Sequence, residues 1–227
     1  MEVEIEIKEA LKEKGADIVR IVDISGLDCE QTQGFPTAVL FIMALSKDYI
    51  LDVYNDVPLA QPDDFVDKEH KCDELADWLA DFIRQKGYGA YSQSEDSNDE
   101  NGQYDEAALS SVLPHKTIAR LAGLGFIGKN DLLVTDEYGC AVSMCSVLTD
   151  APLRAELCDI KPPGCGECGV CREACNAGAI YGKEWTEEGG REGIIDVYKC
   201  DPCGKCMTNC PASLEYAGLA AQDCMVR

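Results

Sequence analysis

Two runs of cysteine in the last third of the chain have the spacing of metal-ligand motifs. Each reads Cys-x2-Cys-x2-Cys-x3-Cys, and together they contain Cys165, Cys168, Cys171, Cys175, Cys200, Cys203, Cys206 and Cys210. Two intervening residues let a loop direct successive thiolates at one centre, and the fourth cysteine of such a run typically binds the other cluster. The spacing therefore predicts two [4Fe–4S] clusters, the first bound by Cys165, Cys168, Cys171 and Cys210, the second by Cys200, Cys203, Cys206 and Cys175.

Other uses of cysteine match this pattern less well. Zinc knuckles use paired cysteines rather than two runs of four. A disulfide framework needs an oxidising compartment, and the opening Met-Glu-Val-Glu-Ile-Glu lacks the basic and then apolar order of a signal peptide. No apolar run approaches the length of a membrane span. We therefore expect a cytoplasmic protein that transfers electrons and has no membrane partner.

The net charge of the chain limits the classes of partner that it is expected to bind. Its 227 residues include 42 acidic and 20 basic side chains, which gives a formal net charge of −22. Nucleic-acid binding gains most of its affinity from cationic groups that neutralise phosphates, so this balance argues against tRNA or DNA. The same charge can steer docking to a basic electron-donor protein of the ferredoxin or flavodoxin type. It can equally serve solubility alone.

The elements that position the cysteines follow an α/β pattern. Apolar periodicity predicts helices over residues 1–15, 67–86 and 114–122, and strands over 17–24, 37–45, 88–91, 132–135 and 141–148. Two short strands, 179–181 and 194–197, are expected to pair inside a ferredoxin-like module. The proline-rich stretch 149–164 predicts a boundary between an α/β cofactor-binding domain, 1–157, and a two-cluster domain, 158–227. Cys72, Cys140 and Cys145 are interpreted as buried structural thiols.

Residues 92–106 form a polar segment with six acidic side chains and no basic one. A segment of this length inside a compact domain is either a mobile lid or a solvated insertion. We favour the insertion, because added loop length costs little free energy.

A glycine-rich segment precedes the cysteine runs. The string Gly123-x-Gly125-x-x-Gly128 matches the dinucleotide-binding fingerprint, but that fingerprint follows a strand and opens a helix. Here a helix pattern comes first and a strand follows. Two interpretations remain. The turn either brings backbone close to a flat or anionic ligand, with Lys129 and Asn130 in contact, or it is a tight corner between a helix and a strand.

The stretch 113–135, with 147–153 and the double cysteine motif, resembles the epoxyqueuosine reductase family, and in particular its short relatives with two clusters. That family is related to reductive dehalogenases. The resemblance implies a nitroreductase-like domain that binds cobalamin beside one of the clusters, which supply electrons for a reduction. It also implies contact with the corrin by Gly123, Gly125, Phe126, Ile127, Gly128, Lys129 and Asn130.

The sequence departs from the family where the catalytic acid is expected. The position of the aspartate that donates a proton in the family falls on Leu109. We also expect no counterpart of the family's C-terminal helical repeats, which help hold tRNA. His115 is a candidate proton donor, because histidine titrates near neutrality; alternatively it is a surface histidine without a role. We therefore expect a small-molecule substrate rather than tRNA. The alternatives are an electron-transfer partner that reduces a corrinoid protein, and a protein of the same fold that holds a flavin or no second cofactor.

Overall fold

The computed structural model describes residues 2–219. The helices in this part of the chain are α1 (Glu2–Glu13), α2 (Cys29–Thr32), α3 (Lys47–Tyr54), α4 (Asp64–Gln85), α5 (Glu95–Glu100), α6 (His115–Leu121), α7 (Val170–Glu173), α8 (Lys205–Thr208) and α9 (Pro211–Ala217). The strands are β1 (Ile18–Asp23), β2 (Thr37–Ala44), β3 (Ala90–Ser92), β4 (Tyr104–Asp105), β5 (Ser110–Ser111), β6 (Gly125–Ile127), β7 (Leu133–Thr135) and β8 (Val142–Thr149). The predicted mixture of helices and strands is confirmed, with shifted element ends.

Contacts divide the chain into two compact units, each built from separate segments. Unit 1 consists of Met1–Met43, Val66–Ala122 and Ser143–Asp159, and unit 2 of Ala44–Phe65, Gly123–Val142 and Ile160–Arg227. Both cysteine runs are in unit 2, together with two stretches from earlier in the sequence. The predicted division into domains 1–157 and 158–227 stays a prediction.

A four-stranded sheet is the framework of unit 1. Its strand order is β1-β2-β8-β3, with Ile18 opposite Ile42 in the antiparallel β1–β2 pair and Ala90 opposite Thr149 in the antiparallel β3–β8 pair. The inner strand β2 is buried along nearly its whole length, as its continuous apolar sequence predicts. Buried side chains of α1 and α4 complete the core, because both helices carry an apolar stripe.

The acidic segment 92–106 is more ordered than its composition suggests. It ends β3, forms the short helix α5 and enters the β4–β5 hairpin. Gln93 and Asn98 are buried, and Asn98 Nδ2 donates to the Gln93 carbonyl at 2.9 Å. The first half of the segment is thus part of the polar interior of unit 1, and its interpretation as a solvated insertion is wrong there.

Unit 2 has its own core, in which α3 packs against α8 and α9. Helix α3 has no counterpart among the predicted elements. Ser46 caps its start by accepting from the Tyr49 N–H at 3.2 Å. The glycine segment continues as strand β6, which pairs with β7. Gly125 is required for this pairing, since a Cβ there would lie 2.1 Å from the Val134 carbonyl oxygen.

Candidate iron–sulfur centre and the cavity of unit 1

The first cysteine group combines three cysteines of the first run with the last cysteine of the second. Cys165 and Cys168 lie in a turn closed by a bond from the Cys168 N–H to the Cys165 carbonyl at 3.0 Å. Cys171 follows on α7, and Cys210 is the residue at which α9 begins. Burial and then repulsion from Cys165, Cys210 and Cys168 raise the pKa of Cys171 to about 11. These four thiols are therefore electrostatic neighbours.

The second predicted group takes three cysteines from the second run and one, Cys175, from the first. Burial, followed by repulsion from Cys200, Cys171, Cys203 and Cys175, raises the pKa of Cys206 to about 12. Burial, followed by repulsion from Cys175 and Cys203, raises the pKa of Cys200. Cysteines of the two runs are therefore electrostatic neighbours, and the effect of Cys171 on Cys206 extends across both predicted groups.

The chemistry of these donors fits four-iron clusters. Thiolates are soft ligands, and bound iron removes the mutual repulsion that raises several of their pKa values. Among residues 2–219, no three His, Cys, Asp or Glu side chains converge on a point that one metal ion would occupy. A four-iron cluster keeps its ligands farther apart than a single ion does, because each thiolate binds a different iron. The ligand assignment of the eight cysteines stays a prediction.

Lys129 binds the loop of the first group. Its Nζ donates to the Gly166 carbonyl at 2.5 Å and to the Cys168 carbonyl at 3.0 Å. The side chain is 7% exposed. A buried ammonium is costly unless it is hydrogen-bonded, so these two carbonyls are the partners that retain it. The lysine that the sequence singles out for cofactor contact therefore holds the backbone of a cysteine loop.

Asn130 reaches the second cysteine run. Its Nδ2 donates to the Cys206 carbonyl at 3.2 Å and lies 3.5 Å from Cys140 Sγ. Its Oδ1 accepts from the Leu132 N–H at 3.4 Å, which fixes the orientation of the amide. Of the other residues predicted to touch a corrin, Gly125, Ile127 and Gly128 are buried, while Gly123 and Phe126 are half-buried.

Cys210 differs from the other shifted cysteines of the two runs in the direction of its pKa shift, which is downwards. Hydrogen bonding, first with Cys140 and then with the Ala212 and Ser213 N–H groups, lowers the pKa of Cys210 to about 6. This effect outweighs burial, which alone would raise the pKa. Cys140 is buried, as predicted for a structural thiol. Its contact with a predicted ligand was not foreseen, since Cys140 lies 70 residues earlier and outside the motif register.

Unit 1 contains a cavity of about 330 Å³. Its lining is mostly polar and consists of Glu69, Cys72, Asp73, Gln93, Glu95, Asn98, Asp99, Tyr104, Ser111, His115 and Met144. Of the predicted site residues, only His115 lines it. The acidic side chains come from α4 and from the segment that contains α5. The sequence offered one signal for them, the cluster of acids in residues 92–106.

A chain of hydrogen bonds fixes the state of His115. Its Nδ1 lies 2.7 Å from Ser146 Oγ, which donates to Gln93 Oε1 at 2.7 Å, and Gln93 Nε2 donates to the Leu113 carbonyl at 3.0 Å. Because the Ser146 proton is directed at Gln93, Nδ1 must be the protonated nitrogen, and Nε2 carries the lone pair. Burial lowers the pKa of His115 to about 4. The ring is therefore neutral at pH 7 and acts there as an acceptor.

The pKa of Glu69 is shifted in the opposite direction, upwards. Desolvation of the carboxyl group by its neighbours, followed by repulsion from Asp73 and Glu95, raises its pKa to about 7, although the residue as a whole is exposed. Water reaches the exposed part of this side chain and limits the shift. Ser143 Oγ donates to the carboxylate. Burial also raises the pKa of Asp73, with repulsion from Glu95 and Asp77 adding to the effect. The cavity thus combines a neutral histidine with carboxylates that bind protons more tightly than usual.

Comparison with known proteins bears on both units. Residues 164–214 match the 4Fe-4S dicluster domain family. An epoxyqueuosine reductase of Listeria monocytogenes is 31% identical over 118 residues, covering 44% of this chain and 29% of the relative. A tetrachloroethene reductive dehalogenase of Dehalobacter restrictus is 27% identical over 210 residues, covering 81% of this chain and 34% of the relative. The predicted resemblance is confirmed.

Solved structures show the same relationship in the fold. An epoxyqueuosine reductase solved with a modified tRNA-Tyr stem loop matches with a TM-score of 0.61 at 18% identity, covering 94% of this chain and 66% of that one. A reductive dehalogenase, described as suggesting a mechanism for B12-dependent dehalogenation, matches with a TM-score of 0.63 at 21% identity, covering 93% of this chain and 32% of that one. These likenesses establish a shared fold.

The matched proteins are longer than this chain. It spans 29% of the length of the Listeria reductase and 34% of the Dehalobacter dehalogenase. The two clusters are supported by the dicluster match, and the named relatives are oxidoreductases. Among residues 2–219, no helix combines the length and the apolar character needed to cross a bilayer.

Proposed function

We propose that the chain is a two-cluster iron–sulfur reductase that acts on a small molecule. The observation that carries this proposal is the match of residues 164–214 to the 4Fe-4S dicluster domain family, over two runs of cysteine with ligand spacing. Such an arrangement places two clusters within one small module, and two-cluster modules transfer single electrons. The relatives named as reductases support the assignment to reduction.

An electron-donor protein of the ferredoxin or flavodoxin type is the proposed source of electrons. Cys200 and Cys203, predicted ligands of the second cluster, are exposed, whereas all four predicted ligands of the first cluster are partly buried. Electron transfer between proteins requires close approach, so the exposed side of the second cluster is the proposed entry point. The net charge of −22 favours a donor with a basic docking surface.

Cobalamin is the additional cofactor that the relatives indicate, since one of them is described by B12-dependent chemistry. When bound, it would supply a cobalt centre that accepts electrons and reduces a substrate. The residues fit this group only in part. The side chains of Lys129 and Asn130 are bonded to the cysteine loops, so contact would be restricted to the half-buried Gly123 and Phe126 and to backbone.

The cavity of unit 1 is the proposed site for the small molecule. Its volume of about 330 Å³ is at the lower end of the range for ligand pockets, which runs from about 300 to 1,000 Å³. Its lining includes the carboxylates of Glu69, Asp73, Glu95 and Asp99. Carboxylates repel phosphates, so we propose a neutral or cationic substrate rather than tRNA, although one solved relative holds a tRNA stem loop.

Two cavity residues have proposed roles in proton transfer. His115 was predicted as a proton donor; its neutral state at pH 7 makes the acceptor role through Nε2 the better assignment. Glu69 is the proposed proton donor instead, because its raised pKa keeps a proton on the carboxyl group near neutrality.

The test is an anaerobic reconstitution followed by titration with cob(II)alamin. The iron-loaded protein is expected to hold about eight irons, the content of two four-iron clusters, and to give two reducible EPR signals. A stoichiometric change of the cobalamin spectrum to the base-off form supports the cobalamin reductase. A Phe126→Ala variant should weaken this binding and leave the iron content unchanged. Iron content near zero contradicts the proposal as a whole.

A second function is favoured by one observation. Because Lys129 and Asn130 are bonded to the cysteine loops, the second function is that of an electron carrier that binds no corrin of its own and reduces a separate corrinoid protein. In that case the iron-loaded chain shows no spectral change with free cob(II)alamin but reduces a corrinoid protein in a mixture. A flavin titration covers the remaining alternative.

A further inference from the structure

Each of the polar atoms of Gln93 has a hydrogen-bond partner. The residue follows β3 and is 4% exposed. Its N–H donates to the Ser146 carbonyl at 3.1 Å, and its own carbonyl accepts from Asn98 Nδ2 at 2.9 Å. Its side chain joins Ser146 Oγ to the carbonyl of Leu113, which lies two residues before His115 in the sequence. A closed ring of contacts thus runs from Leu113 through Gln93 and Ser146 to His115.

One contact of this ring has a fixed direction, and it determines the others. A backbone carbonyl only accepts, so the end of the Gln93 amide at 3.0 Å from the Leu113 oxygen must be the nitrogen. The other end is then the oxygen, which accepts from Ser146 Oγ at 2.7 Å. A hydroxyl has one proton, so Ser146 Oγ must accept from His115 Nδ1 at 2.7 Å. The orientation of Gln93 therefore decides which nitrogen of the His115 ring is protonated.

The cavity of unit 1 offers mainly hydrogen-bond acceptors to a ligand. His115 lines it, and Ser146 leaves only the lone pair of Nε2 available on the ring. The two amide side chains of the lining, Gln93 and Asn98, already donate to backbone carbonyls. The lining also has four acidic side chains, and none of the described residues in it is a lysine or an arginine. A ligand that complements this cavity therefore supplies donors and positive charge.

We propose that Gln93 is a positioning residue that sets His115 as a hydrogen-bond acceptor, and that the cavity binds its small molecule through a protonated amine. An ammonium group has three donors and no acceptor, which matches a neutral imidazole nitrogen in a cavity lined by carboxylates. A carboxylate or phosphate ligand would meet the Nε2 lone pair and the acidic side chains, and both contacts are repulsive. This inference rests on the proposed role of the cavity as the substrate site, and it names the class of that substrate.

A purely structural role for Gln93 predicts a different result. Its removal would then lower the stability of unit 1 and leave the tautomer of His115 unchanged. In the proposed role, removal of the amide frees the Ser146 proton, which can then be donated to His115 Nδ1. The ring then carries its own proton on Nε2, and the cavity loses its neutral acceptor.

The experiment identifies the tautomer by NMR at pH 7. The chain has only two histidines, so isotope-labelled histidine gives ring signals from His70 and His115 alone, and a His115→Gln variant assigns them. The reconstituted full chain is compared with Gln93→Met, which keeps the length of the side chain. Gln31→Met is the matched control, because Gln31 is also in unit 1 but donates to the Val112 carbonyl. We expect the His115 proton on Nδ1 in the unmodified chain and in Gln31→Met, and on Nε2 in Gln93→Met.

The class of ligand is tested with n-butylamine, which is cationic at pH 7, and with butyrate at the same ionic strength. Butylammonium should shift the His115 signals of the unmodified chain and leave those of His70 unchanged. Butyrate should shift neither. Butylammonium should bind Gln93→Met more weakly by roughly tenfold or more, since two opposed donors replace a charged hydrogen bond.

The other outcomes separate this inference from the function on which it rests. A proton on Nε2 of His115 in the unmodified chain overturns the inference without any variant, and so does an unchanged tautomer in folded Gln93→Met. Tighter binding of butyrate, or no shift with butylammonium, overturns the amine class. Iron content is measured on the same samples. Iron near zero contradicts the two-cluster function, whereas the tautomer and the two probes still decide this inference.

Discussion

His115 Nδ1 lies 2.7 Å from Ser146 Oγ, and this bond ties the protonation of the ring to the interior of unit 1. Ser146 Oγ already donates its proton to Gln93, so it gains no better hydrogen bond when His115 is protonated. Protonation would only place a positive charge in the cavity. The pKa of His115 is lowered by burial from 6.5 to about 4. His115 therefore binds fewer protons in the folded protein than in the unfolded chain between these two pH values.

The first prediction concerns the pH dependence of stability. The folded pKa of His115 is depressed, so its contribution to stability is complete above pH 6.5 and is lost as the pH falls towards 4. A His115→Gln variant should show a weaker loss of stability over this window in denaturant titrations. His70→Gln, at an exposed position on α4, is the control and should retain the loss. NMR that shows His115 protonated at pH 6 would contradict the neutral state.

The second prediction concerns Glu69. Its folded pKa is raised from 4.5 to about 7, so the folded state binds more protons than the unfolded chain and loses stability as the pH rises through this window. Glu69→Gln should therefore raise the Tm above pH 7 and have no effect near pH 4. A chain of this size gains about 2–4 °C for each kcal/mol. Glu74→Gln, at an exposed position of the same helix, should leave the Tm unchanged at both pH values.

The third prediction concerns the anchor of the first cysteine loop. Lys129→Met removes two hydrogen bonds from a buried ammonium, and bonds of this kind contribute about 1.5–3 kcal/mol each. We expect the variant to lose iron from the first cluster during gel filtration. Lys205→Met is the control, since Lys205 makes a surface ion pair with Asp56 that contributes about 0–1 kcal/mol. Equal iron retention in both variants would rule out an anchoring role for Lys129.

The fourth prediction concerns the glycine segment. Gly125→Ala would place a Cβ 2.1 Å from the Val134 carbonyl oxygen and separate β6 from β7. Overpacking of this kind costs about 1–3 kcal/mol. Gly26→Ala is the control, because no atom lies within 4 Å of the Cβ it would add. If Gly125 serves only as an approach point for a ligand, the two variants will unfold at the same denaturant concentration.

The local elements and the ligand set follow from the sequence. Helix α4 is predicted by an apolar stripe, β2 by a continuous apolar run, and the two cysteine groups by a spacing that acts over a few residues. Each of these features is local, because a helix or a ligand loop is decided by neighbours within one or two turns. Helix α3 was missed because it has only eight residues, and in so short an apolar run the periodicity does not separate a helix from a strand.

The tertiary structure alone decided which side chains meet. The sequence marked Lys129 and Asn130 for a ligand, whereas folding brings them to carbonyls of the cysteine loops, 37 to 76 residues away. It identified Cys140 as a buried thiol without its neighbour Cys210, and His115 as a donor without the burial that keeps it neutral. Partners and burial depend on contacts between distant segments, and residue spacing carries no information about them. The sequence by itself determined the chemistry of the cluster ligands, and the fold decided which side chains surround them.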